Sequence, residues 1–595
     1  MKIDKPKKQV GIIGGGPSGL FMFKRLIEAG DTQIAITIFE RKDQLGAGMP
    51  YSIEGACDEH ITNVSDNEIP ELVASMKEWI STAPRSLLQR FDMKPGVFNE
   101  YKVVPRLLFG EYLAAQFALL LKAAGKAGIE TDVINNTTVI DIEDDRETAT
   151  VKVFTSEEGI YVFDSVVICT GHNWPKKLEA KVDNWFDSPY PPSKLAKKAN
   201  YPVAIKGSSL SAIDAVRTLA RCNGYFTKNE DGTLSYEVND DSSDFKIVMH
   251  SIGGLLPAIR FHLEDPHLEK GALLSEEAIA KSMKENGGFI PLDHLFEHNF
   301  KEPLRKQHPD FYEQVKHMGL EEFVDHMMTL REHLDAFVLF KAEYAEAEKS
   351  IKRKQSVHWK ELLAILSYAM NYPAKHLSAE DMLRLKQKLM PLISIVIAFV
   401  PQSSCRELIA LHEAGRVSLI AVDKDSTVEP AEGGGALYTF TNEEGEATQT
   451  VYKMFIDAVG QPHFMFEDFP FSGLIRGGSI TRALLPFKSN AEGANLMVQG
   501  NKLVEQDTRG NYYLQVPGIN INDRFQVLDK YGAYNDRVYI MAVPYIGGLN
   551  PDYSGLDFCE EASARIAKAI ERAFEEHKEG SRGTALHIVS LQQNR

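Results

Sequence analysis

A chain of 595 residues exceeds what one hydrophobic core supports, so two or three domains are expected. Apolar residues make up 44% and charged residues 25%, as in proteins that fold in water, and a net charge of −17 argues against nucleic acid or an anionic membrane as the main partner. The short basic leader at Lys5, Lys7 and Lys8 runs straight into a strand pattern, and the longest apolar run, Leu389 to Val400, contains Pro391; neither a signal peptide nor an integral membrane segment is expected. Cys57, Cys169, Cys222, Cys405 and Cys559 are scattered without a C-x-x-C, which argues against a dithiol centre or zinc knuckle and for a reducing, cytoplasmic setting.

The first informative stretch is VGIIGGGPSG, Val10 to Gly19, an apolar strand pattern ending in Gly14, Gly16, Pro17, Ser18 and Gly19 before a helical pattern from Leu20. G-x-G-x-x-G in that setting binds dinucleotides: Gly14 makes the tight turn, Gly16 admits a pyrophosphate, and Gly19 lets helix and strand pack closely. A second strand, Ile34 to Phe39, ends in Glu40, an acid placed for ribose hydroxyls. The loop RKDQLGAGMPYS follows, then HITNV, where His60 and Asn63 precede a helical pattern running to Trp79. VVPRLLFGEYLAAQFALLLKAAG reads as a long amphipathic helix. Strands are expected at Glu130 to Val133 and Thr138 to Ile142, then a hairpin leads into the buried strand of DSVVICTGHNWP. That strand ends in Thr170-Gly171, where a bulkier residue would meet a bound dinucleotide, with His172 either a ligand contact or a plain turn residue.

VAIKGSSLSAIDAVRTLA repeats strand, turn and helix at Gly207, Ser208, Ser209 and Leu210, with Ser209 in place of the middle glycine and Ala212 in place of the last. The next strand, Phe245 to His250, comes late because of a polar insertion, and HSIGGLLP after it offers neither a ribose acid nor an immediate arginine for a 2′-phosphate. From Leu263 to about Met390 helical patterns dominate, with Phe323, Met327, Leu330, Leu334 and Phe337 as one apolar face. His294 and His298, spaced i, i+4, lack an H-E-x-x-H or cysteine partner, so no metal site is expected. Neither GGSIT nor FVPQSS forms a nucleophile elbow. The α/β pattern then resumes: Phe455 onward echoes the CTG stretch and ends in Gly460, and DRVYIMAVPYIGG leads into a last long helix.

The expected fold is therefore α/β, with two Rossmann-like dinucleotide-binding domains and a helical insertion. Residues 1–200 and 451–580 would form a discontinuous FAD domain, 201–262 and 391–450 an inserted NAD(P)-type domain, 263–390 the insertion or cap, and 581–595 a loose tail.

Together IIGGGPSG, GAGMPYS, HITNV, VPRLLFGEYL, VVICTG, GSSLSAID, GGLLP and VYIMAVPYIGG resemble the two-dinucleotide-fold flavoproteins related to the N-hydroxylating and Baeyer–Villiger monooxygenases, and within them the bacterial FAD/NAD(P)-binding proteins that include urate-hydroxylase-like members. The resemblance implies that Gly14, Gly16, Ser18 and Gly19 hold the FAD pyrophosphate, with Glu40 and Arg41 at the adenosine and Val139 as the backbone contact to adenine. It further implies that Asn63 and Arg106 lie near the flavin, Thr170 and Gly171 at the crossover between domains, and the loop at Gly547 and Gly548 over the flavin. Two departures, Ser209 and the lack of an arginine before GGLLP, leave open whether NADH or NADPH binds and how tightly; His250, Ser208 and Arg260 are candidate substitutes for the phosphate contacts. The implied activity is an NAD(P)H-dependent flavin monooxygenase acting on a small molecule. The alternatives are a flavin reductase or dehydrogenase without oxygen transfer, and an FAD-binding protein whose insertion serves a protein partner or oligomer contact. No catalytic side chain is assigned, because the flavin itself would carry the chemistry.

Overall fold

The structure is a computed structural model and describes residues 6–264, 273–442, 445–461, 463–552 and 555–593; the side chains of Val97, Leu330 and 577–593 lie outside that description, as do residues 265–272 of the expected insertion and 594–595 of the expected tail. Two mostly parallel sheets organise it. In chain order their strands are β1 (Lys8–Ile13), β2 (Ile34–Phe39), β3 (Glu130–Ile134), β4 (Ser165–Ile168), β5 (Trp185–Phe186), β6 (Pro202–Lys206), β7 (Lys246–Ile252), β8 (Val417–Val422), β9 (Met454–Asp457), β10 (Gln526–Leu528) and β11 (Tyr534–Ile540). The first sheet has the order β10-β11-β4-β1-β2-β3 and is parallel except at β10. The second is parallel throughout, in the order β5-β9-β6-β7-β8. Their central strands are apolar runs because helices or meanders cover both faces; all of Ser165–Ile168 is buried.

Each first strand feeds a helix across a glycine turn: β1 into α1 (Pro17–Glu28), and β6 into α3 (Leu210–Asn223). Between them α2 (Arg106–Ala127) is long and apolar enough by composition to cross a membrane, but half of that apolar window is buried and Phe117 stacks on Phe23 of α1 with ring centroids 5.4 Å apart. The insertion is helical, running from Glu276 to Val396 and including α4 (His358–Met370); α5 (Gln402–Glu413) then packs on α3, and α6 (Gly555–Gln593) closes the fold.

Several expectations move. Trp185–Phe186 and Met454–Asp457 pair within the second sheet, so the domain changes fall at the linkers after β4 and β9, and the boundaries at 200/201 and 450/451 are displaced. These two short strands are recognisable only by their tertiary partners. HITNV is a strand, Ile61–Ser65, paired with Val103–Pro105; the helix starts only at Met76, where Ser75 Oγ accepts the Glu78 amide at 3.2 Å, because Pro70 interrupts the pattern. The polar insertion after α3 folds as a hairpin, Gly224–Lys228 with Leu234–Val238. The tail expected to be loose continues α6 as helix to Gln593. On the expected apolar stripe Phe323, Met327 and Phe337 are buried, whereas Leu334 is 50% exposed at a break between helices. Buried residues of the insertion, from Ile290 to Val396, form one apolar cluster with the first domain, while Phe337, Phe340 and Ala347 pack into the second.

A buried ion pair fastens α3 to α5. Arg217 Nε donates to Glu407 Oε2 at 2.8 Å and Arg221 reaches Oε1 at 2.7 Å. Burial would raise the Glu407 carboxyl, but Arg217 and Arg221 outweigh it and hold it at about 2, below its usual 4.5. The stability this pair supplies is thus present above pH 4.5 and lost as the pH falls towards 2. Glu407→Gln should cost about 3–5 kcal/mol at neutral pH by leaving buried arginine charge uncompensated, and should flatten the loss of stability across that acid window. Denaturant unfolding of both proteins at pH 7 and pH 3 measures both effects.

Candidate functional site

The first turn is dictated by close approaches. Gly14 has φ +106°, and a Cβ there would stand 2.8 Å from the Cys169 carbonyl oxygen. A Cβ on Gly19 would collide with the Gly14 carbonyl, so helix and turn fit only without side chains. Gly16 is the extended N-cap of α1 with no side-chain cap and Pro17 follows, leaving the first amides, including those of Ser18 and Gly19, to an external acceptor. Glu40 is buried beside the turn; its Oε2 accepts the Gly15 amide at 2.8 Å and its Oε1 the Lys42 amide at 3.1 Å. Two backbone donors thereby orient the carboxylate. The loop before Val139 is sewn to the same strand end by Thr137 N–H to Glu40 O, 3.0 Å, and Asn136 N–H to Lys42 O, 2.9 Å. A cavity of about 440 Å³ opens alongside, lined among others by Lys42, Gly48, Tyr51 and Asn136. Arg41, more than half exposed, pairs with Glu54 at 3.2 Å.

Gly207 repeats this construction. Its φ is +110°, and a Cβ there would stand 2.9 Å from the Ala458 carbonyl oxygen. Cys169 and Ala458 are each the first residue after a strand, at the start of a linker, Thr170-Gly171 and Val459-Gly460. Ser209 is the N-cap of α3, again without a side-chain cap, with Leu210 as the first helical residue. Of the candidate substitutes, Ser208 Oγ donates to Leu255 O at 2.7 Å. His250 meets the turn only through its backbone, whose carbonyl accepts the Gly207 amide at 2.7 Å; its imidazole is buried, stacked on Tyr438 at 4.0 Å and bonded to Tyr452 Oη at 3.2 Å, and burial pushes it down to about 4. Arg260 is spent on Asn63 O, Ser65 and Glu68.

The two linkers meet. His172 Nδ1–H donates to Gln461 Oε1 at 2.5 Å, and the Asn173 amide shares that acceptor at 3.3 Å. Burial lowers the His172 pKa, only partly offset by Gln461. Thr170 Oγ1 and Gln461 Nε2 are buried there without a protein partner, and no atom lies within 4 Å of a Cβ built on Gly171. Those orphaned polar atoms, the uncapped helix start and the space at Gly171 fit a dinucleotide laid from the first turn to the linker crossing.

Arg106 sits at the same junction but not free. Its Nε donates to Ile61 O at 3.1 Å and its guanidinium pairs at 2.5 Å with Asp214 of α3, which also accepts from Tyr190 Oη at 2.9 Å. Burial would raise the Asp214 carboxyl; Arg106, with His60 and Tyr190, holds it below its usual range. His60 accepts the Cys57 amide on Nδ1 at 3.0 Å, so its Nε2 carries the proton towards Asp214 O and Thr218 Oγ1. The Asn63 side chain is exposed and has no hydrogen bond among the described residues.

The closing loop is as tightly constrained. A Cβ on Gly547 would collide with the His463 ring, and one on Gly548 with the Pro517 carbonyl. Ser18 Oγ meets Cys559 Sγ at 3.5 Å, joining the first turn to α6. Asn371, at the end of α4 in the insertion, donates to Asp552 O at 2.9 Å, accepts the Asp552 amide at 3.0 Å, and receives Asn550 Nδ2 on its carbonyl at 2.7 Å. Ser367 adds a 2.5 Å bond to Asp552 Oδ2, and burial raises that carboxyl to about 6. Sequence reasoning missed this clamp, which no local pattern announces. It also missed Asp214, although an acid on the apolar face of SSLSAIDAV was a visible signal.

Residues 11–173 match the family model described as FAD-NAD(P)-binding. The first domain is an FAD-NAD(P)-binding domain. Residues 275–397 match the family model described as YdhS-like middle domain. The chain is similar to the uncharacterized protein YdhS of Escherichia coli (strain K12), 28% identical over 567 residues that cover 95% of this chain and 97% of the relative. Among solved structures it is similar to the Kutzneria sp. 744 ornithine N-hydroxylase, 14% identical with a TM-score of 0.46 over 96% of this chain and 100% of that one. It is also similar to the cadaverine monooxygenase of Erwinia amylovora, 11% identical with a TM-score of 0.44 over 95% of each chain.

Two variants test the site. Gly16→Val places a branched side chain against Gly48 and the pyrophosphate path, and should yield folded protein without flavin, read by circular dichroism and visible absorbance. Asn371→Ala removes the two side-chain hydrogen bonds to the Asp552 backbone, leaving the Asn550 bond to the backbone carbonyl in place, and should weaken FAD binding about tenfold in a fluorescence titration, a loss of roughly 1.4 kcal/mol.

Proposed function

We propose that the protein is an NAD(P)H-dependent flavin monooxygenase acting on a small molecule. The observation that carries the two-nucleotide reading is the matched pair of turns, Gly14 against Cys169 O and Gly207 against Ala458 O, whose linkers cross at His172 and Gln461. That crossing brings a nicotinamide held on the second turn towards a flavin held from the first. The motif order resembling the N-hydroxylating and Baeyer–Villiger monooxygenases supports oxygen transfer as the outcome.

When bound, FAD supplies hydride acceptance and, with dioxygen, delivery of one oxygen atom. The chain supplies the rest. The α1 amides hold the pyrophosphate, and Glu40, aligned by the Gly15 and Lys42 amides, takes the ribose hydroxyls. Val139 and the loop before it flank the adenine, with Arg41 at the pocket rim. Asn63 and the Arg106–Asp214 pair border the flavin and tie it to α3. Gly547 and Gly548 close over it, backed by the buried Ile546 and Leu549. His172, kept neutral at pH 7 by burial, orients Gln461 at the crossing. Gly207, Ser208, Ser209 and Leu210 form the nicotinamide-side phosphate turn.

Anaerobic mixing of FAD-loaded protein with NADH and with NADPH tests this reading. Bleaching of the visible flavin band by one of them is expected, followed under air by NAD(P)H oxidation that releases less than one hydrogen peroxide per nucleotide once a substrate is supplied. Stoichiometric peroxide throughout would favour a reductase. No bleaching by either nucleotide would contradict the nicotinamide assignment and favour an FAD-binding partner protein, the reading to which the engagement of His250 and Arg260 elsewhere lends support.

A further inference from the structure

A second cavity, of about 330 Å³, opens where the first domain, the insertion and α5 meet, and its size is that of a site for a small organic molecule. Its polar floor is already satisfied. Arg260 donates to Ser65 Oγ at 2.9 Å, pairs with Glu68 and reaches the Asn63 carbonyl, while Gln402 donates to the carbonyl of Arg260. The walls are apolar: Phe261 and Leu263 are buried, and Tyr101 and Ile351 remain 42% and 40% exposed at the same opening. Large apolar side chains left open to water around a concavity mark a binding surface. Tyr101 stands beside the His262 ring, with centroids 5.5 Å apart, and the Lys354 ammonium lies 5.5 Å from its ring.

The opening also carries charge. Lys102, just before the strand Val103–Pro105, and Arg406, in α5, both line the cavity and are exposed, and neither side chain has a hydrogen bond or ion pair among the described residues. Glu348, on the insertion helix Ala336–Arg353, is the carboxylate in the lining besides Glu68, and it accepts from Tyr344 Oη at 3.1 Å. Lys102, Arg260 and Arg406 against Glu68 and Glu348 leave the lining with one positive charge, on a chain whose net charge is −17.

We propose that this cavity is a binding site for a small organic monocarboxylate, with its apolar body against Tyr101 and Ile351 and its carboxylate between Lys102 and Arg406. The site is separate from the flavin reading, since no residue of either glycine turn, of the linker crossing or of the closing loop lines it. The planar fork of an arginine matches both oxygens of a carboxylate, and a lysine adds a mobile point charge. A monoanion cancels the single positive charge of the lining; a phosphate group carries more negative charge at pH 7 and would meet Glu348 unbalanced. Because Lys102 belongs to the first domain and Arg406 to a helix packed on α3 of the second, a ligand held by both ties the two together.

The test titrates full-length protein calorimetrically at pH 7 and low salt with hexanoate and phenylacetate, with hexanamide as the neutral control and inorganic phosphate as the competing anion. At least one carboxylate should bind and raise the thermal midpoint, with hexanamide and phosphate binding far more weakly. Lys102→Gln and Arg406→Gln, both at exposed positions, should each weaken that binding about tenfold. Lys126→Gln, an exposed cation of α2 outside the cavity, should leave it unchanged. The affinity should be the same before and after loading with FAD. Equal affinity in wild type and the double variant Lys102→Gln/Arg406→Gln, equal binding of hexanamide, tighter binding of phosphate, or no binding of either carboxylate would overturn the site. Carboxylate binding that disappears on FAD loading would also overturn it, by placing the ligand in the flavin site.

Discussion

The structure depends on a steric constraint met twice: a glycine with positive φ pressed against the first carbonyl beyond a neighbouring strand. Gly14 meets Cys169 O and Gly207 meets Ala458 O, at 2.8 and 2.9 Å from where a Cβ would stand. Each contact fixes a glycine turn to the strand that leads into a linker. Because both linkers leave from those contacts, the two turns face a common crossing, and the polar atoms gathered there follow from that geometry. A side chain at either glycine would separate turn from strand, and the crossing would lose its register.

The helical insertion is part of this arrangement rather than an appendage. Its apolar interior is continuous with the first domain, a second group of its side chains enters the core of the other domain, and Asn371 is hydrogen-bonded to Asn550 and Asp552 of the loop before α6. An element anchored in both domains and hydrogen-bonded to that loop couples loop position to domain position.

What could be read in the sequence was what is encoded locally. G-x-G-x-x-G between a strand and a helix, an acid at the next strand end, and glycines after two apolar strands each require particular residues within a few positions, and those elements stand where they were expected. Roles set by distant partners were not legible. Nothing near Arg106 in sequence announces that Asp214 of another domain takes its guanidinium, and nothing near His250, a candidate substitute for a phosphate contact, announces that Tyr438 and Tyr452 enclose its ring. Domain boundaries were missed for the same reason, since Trp185–Phe186 is a strand only by virtue of Met454–Asp457 beside it.

The account stands on the first turn holding FAD, and the flavin content of the purified full-length protein tests it most directly. Heat-released flavin quantified by absorbance and identified by chromatography should amount to one FAD per chain, either as isolated or after incubation with FAD and removal of the excess. Protein that remains folded yet retains no FAD under either condition would contradict the account.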